Sequence, residues 1–183
     1  MKTLDHMLQK WRYHVVTPFI PHGCRLLDIG GYDGSFLYFV KDRLVQGYCL
    51  DPLCRTRSEG PFHLIQAHAG QELPLPTASV DVVTLLAVFE HIQEREALVR
   101  EIFRVLQDEG LVILTVPQPL VDDILKVLIR LRIADGMAAE EHHHFDPAMV
   151  VPLFGRFGFS LITRARFQLG LNNIFVFRKT RRG

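Results

Sequence analysis

Two acidic side chains, each ending a short apolar run, are the first residues in this chain whose placement implies chemistry. One is Asp28, in Leu26–Leu27–Asp28–Ile29–Gly30–Gly31–Tyr32–Asp33–Gly34, where an apolar stretch breaks into a glycine-rich turn. Glycines at such a turn let the chain reverse tightly and let a ligand approach the backbone, and the following helix offers unpaired N–H groups. A pyrophosphate suits that cradle in general, but not with a carboxylate inside it, because like charges repel. A cationic sulfonium that also carries an ammonium group is matched by Asp28. The second acid, Asp51, closes Tyr48–Cys49–Leu50–Asp51 about twenty residues on, where a carboxylate can accept hydrogen bonds from ribose hydroxyls. An ordinary strand-to-helix turn with a capping acid is the plainer alternative.

Other candidates lie further along. His91, in Phe89–Glu90–His91–Ile92, follows the longest apolar run; it can serve as a base for an acceptor that must lose a proton, or hold its loop through a backbone carbonyl. The cluster Glu140–Glu141–His142–His143–His144–Phe145–Asp146 has no good metal geometry, because consecutive side chains diverge. In an extended segment His142 and His144 share a face, with Asp146 beside them. A substrate pocket, an exposed loop and a metal site all remain open for this cluster.

These residues need a scaffold, and the pattern supplies one. Strand-like runs at 24–29, 48–51, 62–67, 80–88 and 111–116 alternate with helical patterns at 4–16, 36–44, 94–107, 119–134 and 147–157. Gly47 reads as the stop of the second helix and Gly110 as that of the helix over 94–107. Residues 159–166 and 174–178 read as a closing antiparallel pair joined through Gly170–Leu171–Asn172–Asn173. Such alternation predicts right-handed crossovers and a parallel sheet, with the ligand crevice at the carboxyl ends of the strands.

Composition narrows the classes. The 183 residues fit a single domain, 1–183, with residues 1–20 as an N-terminal helical extension and 117–146 as a cover for the acceptor site. A formal net charge of +1 points to neither nucleic acid nor an anionic membrane. No run approaches the roughly 20 apolar residues of a membrane span, and the charges among residues 1–20 are unlike a signal peptide. Cys24, Cys49 and Cys54 lack metal-ligand spacing, and a reduced cytoplasmic compartment fits them. Arg178, Lys179, Arg181 and Arg182 read as a solvated tail. The helical pattern at 119–134 is apolar on too much of its circumference for a simple surface helix, which fits core packing or a homodimer contact; a lid or a membrane-surface contact is the other reading.

Taken together, these motifs resemble the class I S-adenosylmethionine-dependent methyltransferases, in the small-molecule group that includes the ubiquinone-biosynthesis methyltransferases. The turn at 27–34 is similar to D-x-G-x-G-x-G, departing at Tyr32–Asp33; Asp51 matches the ribose acid. Gln71–Glu72–Leu73–Pro74–Leu75 with Ser79–Val80–Asp81–Val82–Val83 resembles the L-P-F…F-D-V-V stretch, Phe89–Glu90–His91–Ile92 the L-E-H-V, and Arg104–Val105–Leu106 with Gly110 the R-V-L-K-P-G-G turn. The resemblance implies an α/β, Rossmann-like, doubly wound sheet of seven strands, mostly parallel, ordered 3-2-1-4-5-7-6 with the last strand antiparallel. It implies S-adenosylmethionine as cofactor, bound by Asp28, Gly30, Gly31, Tyr32, Asp33, Gly34, Asp51, Pro52, Ala69, Gly70, Gln71 and Ala87. His91 is then the catalytic candidate, with Phe89, His142 and His144 toward a small-molecule acceptor whose O, N or C atom is methylated. Ala69 stands where the family has an acid for the adenine amino group, a loss of about 0.5–1.5 kcal/mol. That departure keeps a non-catalytic cofactor-binding protein in view. A nicotinamide-dependent oxidoreductase is opposed by Asp28 and by the missing G-x-G-x-x-G.

Overall fold

A computed structural model describes residues 3–70, 72–118 and 145–181. The helix expected over 119–134, together with Gln71, His142 and His144, lies outside the described residues. Among the described residues eight strands form one sheet: β1 (Cys24–Ile29), β2 (Leu44–Asp51), β3 (Arg57–Glu59), β4 (Phe62–Gln66), β5 (Val80–Leu86), β6 (Leu106–Pro117), β7 (Phe159–Phe167) and β8 (Asn172–Lys179). Their spatial order is β3-β4-β2-β1-β5-β6-β8-β7. Without β3 this is the expected order, with β8 antiparallel to both its neighbours. The added strand β3 pairs antiparallel with β4 at the edge; its residues are Arg57–Ser58–Glu59, too short and polar to carry a strand pattern.

Among the described residues the α-helices are α1 (Thr3–Val16), α2 (Ser35–Phe39), α3 (Arg95–Val105) and α4 (Val150–Arg156). Period-two alternation in the strands decides what each covers. Leu27, Ile29, Val83, Leu85, Val112 and Leu114 pack on one face with α3 and α4. Leu26, Val82, Ile113 and Val176 pack on the other with Tyr13 and Val16 of α1 and Phe36 and Leu37 of α2. At the amino end, Arg25 grips Asp81 through Nε (3.0 Å) and a terminal nitrogen (2.8 Å), tying β1 to β5. Among the described residues no helix is long and apolar enough to cross a membrane.

Several sequence expectations give way to long-range pairing. The second helix stops at Phe39, and β2 begins at Leu44 because Leu44 to Gly47 pair with β1. Gly47 is therefore no helix stop. It lies buried in β2, where a Cβ would meet the Phe62 ring at 2.8 Å. Likewise Gly110 lies inside β6, which starts at Leu106 against Val80. Asn172 and Asn173 belong to β8, not to the hairpin connection. Lys179 is not a solvated tail residue either: it is 6% exposed and donates from Nζ to the Leu106 carbonyl at 2.7 Å.

Candidate active site at the carboxyl edge of the sheet

β1, β2, β4, β5 and β6 run parallel, so their carboxyl ends share one edge. The glycine turn leaves β1 there. Gly30 donates its N–H to the Leu50 carbonyl at 2.7 Å, and Gly34 closes the turn on the Gly31 carbonyl at 2.9 Å. Tyr32 sits in the left-handed region at φ 50°. Asp51 is what holds it there. The Oδ2 atom of Asp51 accepts from the Tyr32 N–H at 3.0 Å, and Oδ1 accepts from the Leu53 N–H at 2.8 Å. Each of those oxygens keeps a second lone pair for a ligand hydroxyl.

Asp28 lies beneath the turn rather than in front of it. It is 2% exposed, and Oδ1 accepts from the Thr84 hydroxyl at 2.6 Å. Its other oxygen underlies Gly31: a Cβ there would lie 2.3 Å from Oδ2 and 2.8 Å from the Cys49 sulfur. Only glycine lets the backbone settle this closely onto a carboxylate. Burial pushes the Asp28 carboxyl up to about 7, the Thr84 hydrogen bond pulling against that rise and the charge of Asp51 adding to it. A cation at this edge relieves the cost of ionising Asp28.

The remaining candidates fall into place around this pair. Asp33 accepts from the Ser35 N–H at 2.9 Å, forming an Asx turn that starts α2. Pro52 follows Asp51, and its carbonyl accepts from the Gln66 side chain at 3.1 Å. Ala69 packs against the core cluster, and Gly70 takes φ 118°. Ala87 turns away from β5 at φ 58°, its N–H bonded to Thr115 at 2.9 Å. The loop after β4 is pinned to α3 by Arg104, which donates to the carbonyls of Leu73 and Leu75 at 2.9 Å each and pairs with Glu101.

On the acceptor side, the side chains separate. His91 ends a short 3-10 turn, Phe89–His91, and its side chain is 52% exposed, with Nε2 4.0 Å from Glu90 Oε1. Phe89, expected toward the acceptor, is instead fully buried, its ring packed against Phe145 and Phe154 at 5.9 and 5.6 Å. It belongs to the core because it lies on the α3/α4 face of the sheet.

Sequence reading missed several residues that shape this site. Thr84 was hidden in an apolar run, and a lone threonine in register with Asp28 is the signal that marks it. Tyr13 of α1 shares a 2.8 Å hydrogen bond with Ser35 Oγ at the start of α2. Arg12, beside it in sequence, is drawn electrostatically to Glu90. Cys49 floors the glycine turn, and burial pushes its thiol above the ordinary range, so it is a packing group.

Comparison with known proteins bears on the fold and the family. A family model described as a methyltransferase domain matches residues 4–164. A Mycobacterium tuberculosis protein described as a probable S-adenosylmethionine-dependent methyltransferase is 32% identical over 114 residues, covering 58% of this chain and 41% of that protein. The ubiquinone/menaquinone biosynthesis C-methyltransferase of Vibrio campbellii is 31% identical over 123 residues, covering 57% and 46%. The chain thus spans less than half the length of these curated relatives. The crystal structure of an S-adenosylmethionine-dependent methyltransferase from Aquifex aeolicus shares the fold, with a TM-score of 0.68 at 13% identity over 92% of this chain and 89% of that one. The match over residues 4–164 places this chain in the methyltransferase-domain family, among the class I S-adenosylmethionine-dependent proteins.

Proposed function

We propose that this protein transfers a methyl group from S-adenosylmethionine to a small-molecule acceptor at the carboxyl edge of the sheet. The observation that carries the reading is the pairing of Asp28 and Asp51 at adjacent strand ends, one beneath the glycine turn and one clamping it. Two carboxylates so placed disfavour a pyrophosphate and favour a ligand that is cationic at one end and carries a ribose at the other. The bound cofactor supplies an electrophilic methyl group; the chain supplies position. Gly30, Gly31, Tyr32, Asp33 and Gly34 shape the cradle for its methionine part, and Asp51 with Pro52 receives the ribose. Ala69 and Gly70 lie toward the adenine, which meets apolar surface and backbone in place of an acid, Gln71 being a candidate there from the sequence alone, and Ala87 borders the reacting end. His91 is the group that takes a proton from an acceptor that must lose one. His142 and His144 remain acceptor-side candidates from the sequence alone. The Vibrio relative is named as a carbon methyltransferase, which adds a carbon nucleophile to the acceptors worth assaying.

Calorimetry with S-adenosylmethionine, S-adenosylhomocysteine and NAD tests the reading. Saturable binding of the two sulfur nucleotides, weakened tenfold or more in Asp51→Asn, is the expected result; about tenfold corresponds to one lost charge-assisted hydrogen bond. NAD binding alone refutes the proposal.

A further inference from the structure

Helix α1 buries one side against the sheet and leaves the other open. At about 3.6 residues per turn, Tyr13 and Val16 share the inner side with half-buried Asp5, the helix's one acid. The open side carries His6, Met7, Lys10, Trp11 and His14, so its ionisable groups are all basic. Met7 is 56% exposed and Trp11 41%. An open hollow of about 630 Å³ lies against these five residues. The stripe continues onto α2, where exposed Phe39 meets the His14 ring edge-on at 5.0 Å.

The β7–β8 connection adds a second projection. Gln168, Leu169 and Gly170 take left-handed φ in succession, at 51°, 58° and 85°, a conformation that residues with side chains rarely adopt. Gln168 holds the turn against α1, donating to the Leu8 carbonyl at 2.7 Å and accepting from Asn172 at 2.6 Å. The turn so fixed presents Leu169, which is 92% exposed. Backbone strain that serves to expose a leucine points to a use for that leucine.

Projecting apolar side chains flanked by cations select a kind of partner. A folded protein needs a matching pocket for each projection, whereas a fluid headgroup layer closes around them. Tryptophan and lysine both suit that layer, the apolar part reaching inward while the polar group stays wet. A second copy of the chain would set Lys10 against its own kind. The net charge of +1 averages over the whole chain and hides this local bias. We propose that the open side of α1 and the Leu169 turn dock on an anionic lipid surface, with Met7, Trp11 and Leu169 in the headgroup layer and Lys10 at its phosphates.

Trp11 is the only tryptophan in the chain, so its emission reports on this side of α1 directly. The full chain is titrated with vesicles of phosphatidylcholine alone, and of phosphatidylcholine with an equal share of phosphatidylglycerol. Anionic vesicles are expected to shift the emission to the blue, and lipid brominated in its acyl chains to quench it. Partition is expected to be about fivefold tighter, or more, to anionic than to neutral vesicles, the contribution of one lysine near such a surface. Leu169→Ser weakens partition by about tenfold, and Lys10→Gln removes most of the anionic preference. Val45→Ser, at an exposed apolar site on β2, leaves both unchanged. Urea unfolding of each variant separates these effects from loss of fold. Unchanged emission with both vesicles overturns the proposal. So does equal partition to both, partition that survives Leu169→Ser and Lys10→Gln, or an equal loss in Val45→Ser. A blue shift that follows protein concentration without lipid assigns the surface to a second copy and overturns it too. Vesicle binding needs no cofactor, so its failure leaves the methyltransferase reading untouched.

Discussion

Replacing Gly31 by alanine puts a methyl group where the structure has no room for one. Its Cβ would lie 2.3 Å from Asp28 Oδ2, 2.8 Å from the Cys49 sulfur and 3.1 Å from Asp28 Cγ. Both neighbours are anchored in paired strands, β1 and β2, and Asp28 is also held by Thr84. The turn must therefore lift by about 1 Å to restore ordinary contacts of roughly 3.5 Å. Such overpacking costs about 1–3 kcal/mol. Lifting the turn also stretches the bond from the Tyr32 N–H to Asp51, which adds a further loss of order 1 kcal/mol. At about 2–4 °C per kcal/mol for a chain of this size, the melting temperature falls by roughly 4–16 °C. Gly34→Ala is the control. It has the strain of φ +77° but meets Leu64 only at 3.5 Å, so about 1 kcal/mol is expected. Urea unfolding gives the stabilities, and calorimetry with S-adenosylhomocysteine is expected to show Gly31→Ala at least tenfold weaker than wild type. The double variant with Asp28→Ala removes the clashing oxygen, so its loss should fall short of the summed single losses by more than about 1 kcal/mol. Additive losses, or a Gly31→Ala no less stable than Gly34→Ala, would show that the turn does not rest on Asp28.

Three further outcomes follow from the same contacts. Asp28 titrates at about 7 when folded, above the ordinary carboxylate value, so the unfolded chain sheds this proton first as pH rises. Relative to Asp28→Asn, wild-type stability should therefore fall from about pH 4 to 7, by up to about 1.4 kcal/mol per pH unit, and level above that; urea unfolding at pH 5 and 7.5 reads it, and a parallel pair of curves counts against it. Gly47→Ala should destabilise by about 1–3 kcal/mol in thermal unfolding, because its Cβ meets Phe62 at 2.8 Å and Leu37 at 3.2 Å; a benign effect would return Gly47 to an exposed helix end. Arg104→Met should cost about 2–4 kcal/mol and speed proteolysis between β4 and β5, since the Leu75 carbonyl loses its donor while the Leu73 carbonyl keeps only the Leu75 N–H and Glu101 only the Leu73 N–H; unchanged protease resistance would show that the loop is held elsewhere.

How much was legible in the sequence depended on the range of the interaction. Residues 24–29 read as a strand because a short apolar run ended by glycines is a local signal of a buried strand, and no distant partner enters that pattern. The same holds for the glycine turn after Asp28 and for Asp51 ending its strand, which is why the fold class and the two acids at the carboxyl edge of the sheet were accessible from residue types and spacing. The partners of individual polar groups were not, because pairing register sets them. Asp28 meets Thr84 and Arg25 meets Asp81, each across 56 residues of chain. Register likewise drew Gly47 and Leu106 into strands against their local helix signals, and hid Lys179 beneath the Leu106 carbonyl. The sequence by itself determined the layers, the strand order by resemblance, and the acids at the carboxyl edge of the sheet. Tertiary structure decided that Asp28 works from beneath the turn, that Asp51 clamps it, that Phe89 is core, and that α1 brings Arg12 toward Glu90. Those placements depend on desolvation and hydrogen bonding between segments distant in the chain, and local periodicity carries no record of either.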